Sequence, residues 1–383
     1  MRSLATASLA AITAYCVACG SSTDARSPGG GAGQGGTGGG TIDGGSTGGT
    51  ASSTGGTAGS TGGSAGSTGG TAGGDGSAGT SGCPPLPAFP DENCTGYRHT
   101  GVTLTPYSGA ATITEPGTII DGKDITSCLR IEANDVVIRR SWVRCAGGRE
   151  STTTYGIAAG EGITGLVVED TEISSAEVPS DCRVGDPPLL TRPMLLGPAN
   201  GARLTRVHAH HTRSGINLGS NVVIEDSLLL TNCNPDPHGG SGEDWQHSTA
   251  IGALGGTSHV VLRHNVLDNG AENASSSISF YPQTNFGGPN DDVTIDGNLI
   301  NADAVYCAYL GYTPSEGERP NTRFRITNNV WGAKYHADCG SGAPVTYASF
   351  DLASFNAAYP GGWGNVWSGN TWRNGEPYEL SDL

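Results

Sequence analysis

The run from Asn232 to His247 ends Gly-Glu-Asp-Trp-Gln-His, which puts Glu243, Asp244, Trp245, Gln246 and His247 side by side. Two carboxylates are what glycoside hydrolysis uses, one as acid and one as base or nucleophile. A base beside a cation is what a lyase uses to remove the proton α to a uronate carboxyl and hold the resulting charge. Arg213 follows the histidine-rich stretch His208-Ala209-His210-His211 and supplies such a cation. The expected catalytic set is therefore Asp244 or Glu243 as acid or base, His247 to carry a proton or orient a hydroxyl, and Arg213 to steady an acidic sugar or an oxyanion. Trp245, Gln246, His211 and Tyr281 are the expected substrate contacts. The competing reading is that this loop is polar because it is exposed, and that it binds without reacting.

Metal signals are weaker. His208 and His210 would share one face of a strand, which permits zinc, but no third ligand stands at a known spacing, so no metal site is assigned. Asp291-Asp292 reads as exposed turn charge. No cofactor is expected, with calcium as the candidate should the chemistry be that of a lyase.

The elements that would carry these residues form a repeat. Val136-Val137-Ile138, Leu166-Val167-Val168, Val222-Val223-Ile224, Val260-Val261-Leu262, Val293-Thr294-Ile295 and Phe324-Arg325-Ile326 each precede two polar residues and then Ser, Thr or Asn. Ala202-Arg203-Leu204 is a weaker copy, and Val366-Trp367 closes the series. A second apolar segment precedes many units, as in Tyr155-Gly156-Ile157-Ala158 and Ser277-Ile278-Ser279-Phe280. Short strands recurring every ~20 to 40 residues without intervening amphipathic helices predict a single-stranded, right-handed parallel β-helix, an all-β solenoid. In such a fold Asn265, Asn298, Asn329 and Asn370 would stack into a ladder, extended by Ser141, Thr171 and Ser227. The late aromatics Trp331, Trp363, Trp367 and Trp372, with Tyr335, Tyr347 and Tyr359, are expected to cap the open end. Tyr281, Tyr306, Tyr309 and Tyr312 are better placed for stacking on a sugar ring.

These segments, together with the run from Gly101 to Cys145, resemble secreted bacterial right-handed parallel β-helix proteins of the pectate-lyase-like superfamily over about residues 100 to 380. The resemblance implies that fold and a polysaccharide partner, through a lyase, a glycoside hydrolase or a non-catalytic surface protein. It also implies a His-x-Asp-Gly-x-Gln stretch ahead of the Arg-His-Asn turn. This chain has His247-Ser248-Thr249-Ala250-Ile251-Gly252 there, with Thr249 and Gly252 in the Asp and Gln positions.

Around this domain, residues 1–19 read as a lipoprotein-type signal peptide, with Cys19 of Val17-Ala18-Cys19-Gly20 as the acylated residue and Cys16 where Leu is usual. Residues 20–82 form a Gly/Ser/Thr-rich tether, with 26 Gly among the 54 positions from Gly29 to Gly82, too poor in apolar side chains to fold and with a reach of about 40 Å. An exported, surface-anchored or secreted protein is expected, with membrane contact only through the lipid. Eight cysteines remain in residues 83–383 and predict sequential disulfides: 83 with 94, 128 with 145, 182 with 233 and 307 with 339. The net charge of −16, with Lys123 and Lys334 as the only lysines, excludes a nucleic-acid partner. A monomer is expected.

Overall fold

The computed structural model describes residues 82–146, 155–176, 192–196, 201–212, 214–231, 249–253, 255–282, 287–310, 321–341, 343–346 and 364–379. Its strands form three all-parallel sheets of ten, nine and nine strands, and the chain visits them in strict rotation, so that each strand pairs with the one three later. That order is a parallel β-helix. The first sheet runs from Thr105–Pro106 to Thr371–Trp372, the second from Thr112–Ile113 to Ala343–Thr346, and the third from Ile119–Asp121 to Val366–Ser368.

The repeat read from the sequence is the third sheet. Ile138, Val168, Leu204, Ile224, Leu262, Ile295, Ile326 and Trp367 pair successively in register. All but Trp367 are at most 1% exposed, because alternate residues of a strand point to one face and here that face is the interior. The outward rows are polar, and Glu225 accepts hydrogen bonds from Arg203 at 2.7 Å and Arg263 at 3.0 Å in the coils on either side.

The turn from the third sheet to the first is fixed by one left-handed residue followed by one ladder residue. Arg140, Asp170, Arg206, Asp226, His264 and Asn328 have φ between 47° and 56°, and Gly297 and Gly369 fill the equivalent place at 65°, where a glycine carries no steric cost. The asparagine ladder is present. The side-chain oxygens of Asn298, Asn329 and Asn370 accept the backbone N–H of Asn265, Asn298 and Asn329 at 2.9 to 3.0 Å. Ser227 and Ser141 continue it, accepting from Val207 N at 3.1 Å and Lys123 N at 3.0 Å. A second ladder, not anticipated from the sequence, lies at the turn into the third sheet, where Asn290 N–H donates to Asn321 Oδ1 at 2.8 Å.

Disulfides join Cys83 to Cys94, Cys128 to Cys145 and Cys307 to Cys339, as the sequential pairing predicts; Cys182 and Cys233 lie outside the described residues. Bonds of this kind persist in oxidising, extracytoplasmic compartments. The cap expectation holds for Trp331, Trp367 and Trp372, which pack with Tyr378 at ring separations of 4.1 to 5.5 Å. Tyr335 is instead drawn to Asp268, and Trp363, Tyr347 and Tyr359 are outside the described residues.

Residues 83–101 precede the first strand and lie along the corner between the third and first sheets. Leu86 reaches Gly297, Ala88 O accepts from His264 Nε2 at 3.0 Å, and Gly96 N–H donates to Arg206 O at 2.9 Å. His99 then bonds Asp170 at 2.8 Å, and Tyr97 stacks on Trp142 at 6.2 Å. This strap crosses the coils in the direction opposite to their growth.

Close approach of coils is sharpest at Gly215, where a Cβ would stand 1.7 Å from the carbonyl oxygen of Ala250 in the next coil. Gly215→Ala is therefore expected to destabilise the domain by ~3 kcal/mol, as other overpacked interiors do, read as a lowered urea midpoint with an unchanged slope.

Candidate functional site

Of the residues expected to act, Arg213, Glu243, Asp244, Trp245, Gln246 and His247 lie outside the described residues, as does the lipid-bearing candidate Cys19. His211 and Tyr281 are described, and they fall in two different clusters.

His211 belongs to the outer face of the first sheet. Parallel pairing sets Trp142 beside Glu172 and Glu172 beside His208 in consecutive coils, and alternation along the strand puts His210 on the same outward face as His208. Glu172 is 2% exposed and His208 8% exposed. Arg98 of the strap donates to both carboxylate oxygens of Glu172, at 3.0 and 3.2 Å, while His210 Nε2 lies 2.9 Å from Oε1. His210 and His211 meet through their Nδ1 atoms at 2.6 Å. One ligand atom from each of Glu172, His208 and His210 falls within 4.8 Å of the others.

The electrostatics follow from burial and neighbours. Burial alone would raise the Glu172 carboxyl, but the hydrogen bonds from His210 and Arg98 outweigh it and hold the group below its ordinary value. Burial pushes the His208 imidazole down to about 3, helped by the charge of His210. His211 is lowered for the same two reasons. His208 is thus neutral across the physiological range, and its buried Nε2 has no hydrogen-bond partner among the described residues.

Further along the same face, Asp268 is 4% exposed and accepts from Lys334 Nζ and Tyr335 Oη, both at 2.8 Å. Burial, then the Asp268 charge, raises the Tyr335 phenol to about 12. The carboxylate is fully engaged and the phenol stays protonated, which is a structural arrangement.

Tyr281 belongs to the second sheet. Its ring lies 4.6 Å from that of Tyr309, which in turn lies 6.0 Å from Tyr306, and all three are partly exposed. The sequence grouped these three, and the pairing of Ile278–Phe280 with Tyr306–Tyr309 brings them together. Tyr281 N–H donates to Ala253 O at 2.9 Å, so the row adjoins the strand Ile251–Ala253. Two coils earlier on this sheet, Asn217 Nδ2 donates to Tyr155 Oη at 2.9 Å. Tyr312 is outside the described residues.

In the altered His-x-Asp-Gly-x-Gln stretch, Thr249 is 6% exposed and its carbonyl accepts the Gly215 N–H, while Gly252 O accepts from Leu218 N at 2.7 Å. Both hold the coils together. Asp291 and Asp292 begin the strand Asp291–Asp296 and are half-buried, rather than exposed in a turn as expected; Asp291 is paired with Arg323 and Asp292 with Arg325 at 2.9 Å, because neighbouring coils bring those guanidinium groups beside them.

The Glu172 contribution was missed by the sequence reading. It stands 36 residues before His208 with no motif between them, and only the coil register makes them neighbours.

No protein-family model matches the chain, and no curated protein matches it. Among solved structures, it is similar to the A-module of the Azotobacter vinelandii mannuronan C-5 epimerase AlgE6, with 13% identity, a TM-score of 0.35, and coverage of 68% of this chain and 65% of that one. It is likewise similar to a tailspike protein of the Acinetobacter baumannii bacteriophage Fri1, described as a capsular polysaccharide depolymerase, with 11% identity, a TM-score of 0.35, and coverage of 68% and 57%. The chain therefore spans under two thirds of each neighbour's length, and the likeness is one of fold.

Proposed function

We propose that this chain is an extracellular polysaccharide-active protein that holds a glycan along the second sheet and cleaves it, as a lyase or a glycoside hydrolase. The observation that carries the reading is the Tyr281, Tyr309 and Tyr306 row beside the strand Ile251–Ala253, which follows Glu243, Asp244 and His247 in the sequence. Aromatic faces on a rigid sheet stack on sugar rings at low entropic cost, and Glu243, Asp244 and His247 come a few residues before the adjoining strand in the sequence. In this reading Asp244 or Glu243 is the acid or base, His247 moves a proton, and Arg213 binds an acidic sugar or the developing oxyanion. Trp245 and Gln246 complete the contacts, with calcium as the charge-stabilising ion in the lyase case; His211, expected to join them, sits instead with His210 on the first sheet. Cys19 lipidation and the tether would hold the domain at the cell surface; a Cys19→Ala variant should leave the membrane fraction.

The test is a panel of acidic and neutral polysaccharides. An unsaturated uronate product identifies a lyase, and new reducing ends without it a hydrolase. Asp244→Ala, Glu243→Ala and His247→Ala should each abolish turnover while leaving the thermal melt in place. Tyr281→Ala and Tyr309→Ala should each weaken glycan binding about tenfold, the equivalent of one lost stacking contact of ~1.4 kcal/mol.

The structural roles of Thr249 and Gly252 favour a second reading, a non-catalytic glycan-binding or adhesion β-helix. Binding across the panel without turnover by the wild-type chain would select it.

A further inference from the structure

The first-sheet cluster stands apart from the tyrosine row and supports an inference independent of the glycan reading. From the geometry of Glu172, His208 and His210 we infer a site for a zinc-class divalent cation, ligated by the two imidazoles and one carboxylate oxygen.

Three ligand atoms already lie within 4.8 Å of one another, and the His210 Nε2 to Glu172 Oε1 separation is 2.9 Å. The edge of a tetrahedron with bonds of about 2.0 Å is ~3.3 Å, so ligation asks the side chains to draw together around the ion. Backbone pairing between Glu172–Ser175 and His208–His210 fixes the relative positions of all three residues, which gives the preorganisation a metal site needs.

The second observation is independent of that spacing. His208 is 8% exposed and its Nε2 has no hydrogen-bond partner among the described residues. Leaving a buried polar atom unsatisfied costs free energy, and a cation satisfies an imidazole nitrogen directly. The surroundings suit the ligands as well. His211 meets His210 through Nδ1, which leaves His210 Nε2 directed at Glu172. Arg98 grips the Glu172 carboxylate and orients it, and because the Arg98 side chain is 60% exposed, solvent screens its charge.

The ligand set selects the ion. Two imidazoles and one carboxylate suit zinc and its borderline neighbours, whereas calcium and magnesium require oxygen ligands. Ligation needs neutral imidazoles and an ionised carboxylate. Three protein ligands leave one position for water or an incoming group.

The experiment uses the chain freed of metal by chelation and then titrated with Zn2+, with Co2+ as the spectroscopic probe. One zinc per chain retained through gel filtration and a tetrahedral Co2+ absorption band are the expected results. His208→Asn and His210→Asn should each weaken zinc binding by at least ~100-fold with the circular dichroism spectrum preserved, while His259→Ala, at an exposed strand position of the third sheet, should leave it unchanged. His210 is the safer variant, since it lies at the margin of the cluster. Absence of retained zinc, or retention unchanged in both histidine variants, overturns the site. Because glycan binding by Tyr281 and Tyr309 variants is scored separately, failure of either proposal leaves the other standing.

Discussion

Replacing Asn298 by Ala will destabilise the β-helix by ~3 kcal/mol or more, visible as a lowered urea midpoint. Asn298 is fully buried. Its Oδ1 accepts from both the backbone N–H and the side-chain amide of Asn265, at 2.9 and 3.0 Å, and its Nδ2 donates to Leu262 O at 3.0 Å and Asn329 Oδ1 at 3.0 Å. Alanine removes every one of these and leaves the Asn265 N–H and the Leu262 carbonyl without those partners in the dry turn, at ~1 to 3 kcal/mol each. Asn298→Asp restores only the accepting half of the rung and places a charge beside the Leu262 carbonyl, so it should not rescue. Asn374→Ala, at an exposed turn, should change stability by less than ~0.5 kcal/mol. Equal losses at positions 298 and 374 would remove the ladder as a source of stability.

The second large effect is a pH dependence, measured in chelator so that no cation occupies the cluster. His208 has an ordinary value of 6.5 and is pushed down to about 3 in the folded chain. Between those limits the unfolded chain binds a proton at this histidine and the folded chain does not. Stability therefore falls as pH falls, by ~1.4 kcal/mol per pH unit for this one group, and it is fully present above 6.5. The groups facing His208 are His210, Glu172, Arg98 and His211. Glu172, held below 4.5, adds a loss of the same sign at lower pH, since its contribution is present above 4.5 and disappears as pH drops through its folded value. His208→Asn should flatten the slope of unfolding free energy between pH 6.5 and 4.5 by about one proton. An unchanged slope would mean that His208 is protonated in the folded state.

The strap links these two regions. Gly96, with φ 70°, lies so close that a Cβ there would stand 3.2 Å from His208 Cβ, and its N–H donates to the turn residue Arg206. The strap thus covers both the ladder corner and the histidine cluster, and its Cys83 to Cys94 disulfide limits the freedom of the uncovered chain.

The third sheet and its ladder were legible in the sequence because their signals are local. Apolar alternation over three residues, followed by a left-handed position and an amide, recurs as Asp-Gly-Asn298 and Thr-Asn-Asn329, and each copy carries its own instruction for strand, turn and stacking. The three observed disulfides were legible for the same reason, since each closes a short loop. The second ladder was missed because Asn290 and Asn321 follow prolines in irregular segments, where neither alternation nor a fixed turn marks them. The first sheet was also missed as a separate element, since Glu172-Ile173-Ser174-Ser175 and His208-Ala209-His210 carry polar residues on their outward face and lack the apolar triplet.

The sequence by itself determined that this chain winds as a solenoid, which residues enter its core and which amides stack, because those properties depend on contacts within a coil or between equivalent positions of consecutive coils. It also supplied His208 and His210 as two residues on one strand face. Only the tertiary structure decided that Glu172 stands beside them, that Arg98 of the strap fixes its carboxylate, and that Tyr281 meets Tyr309. The physical reason is that loops between coils vary in length, so sequence separation does not encode register, and the side chains that meet on an outer face are chosen by backbone pairing across coils.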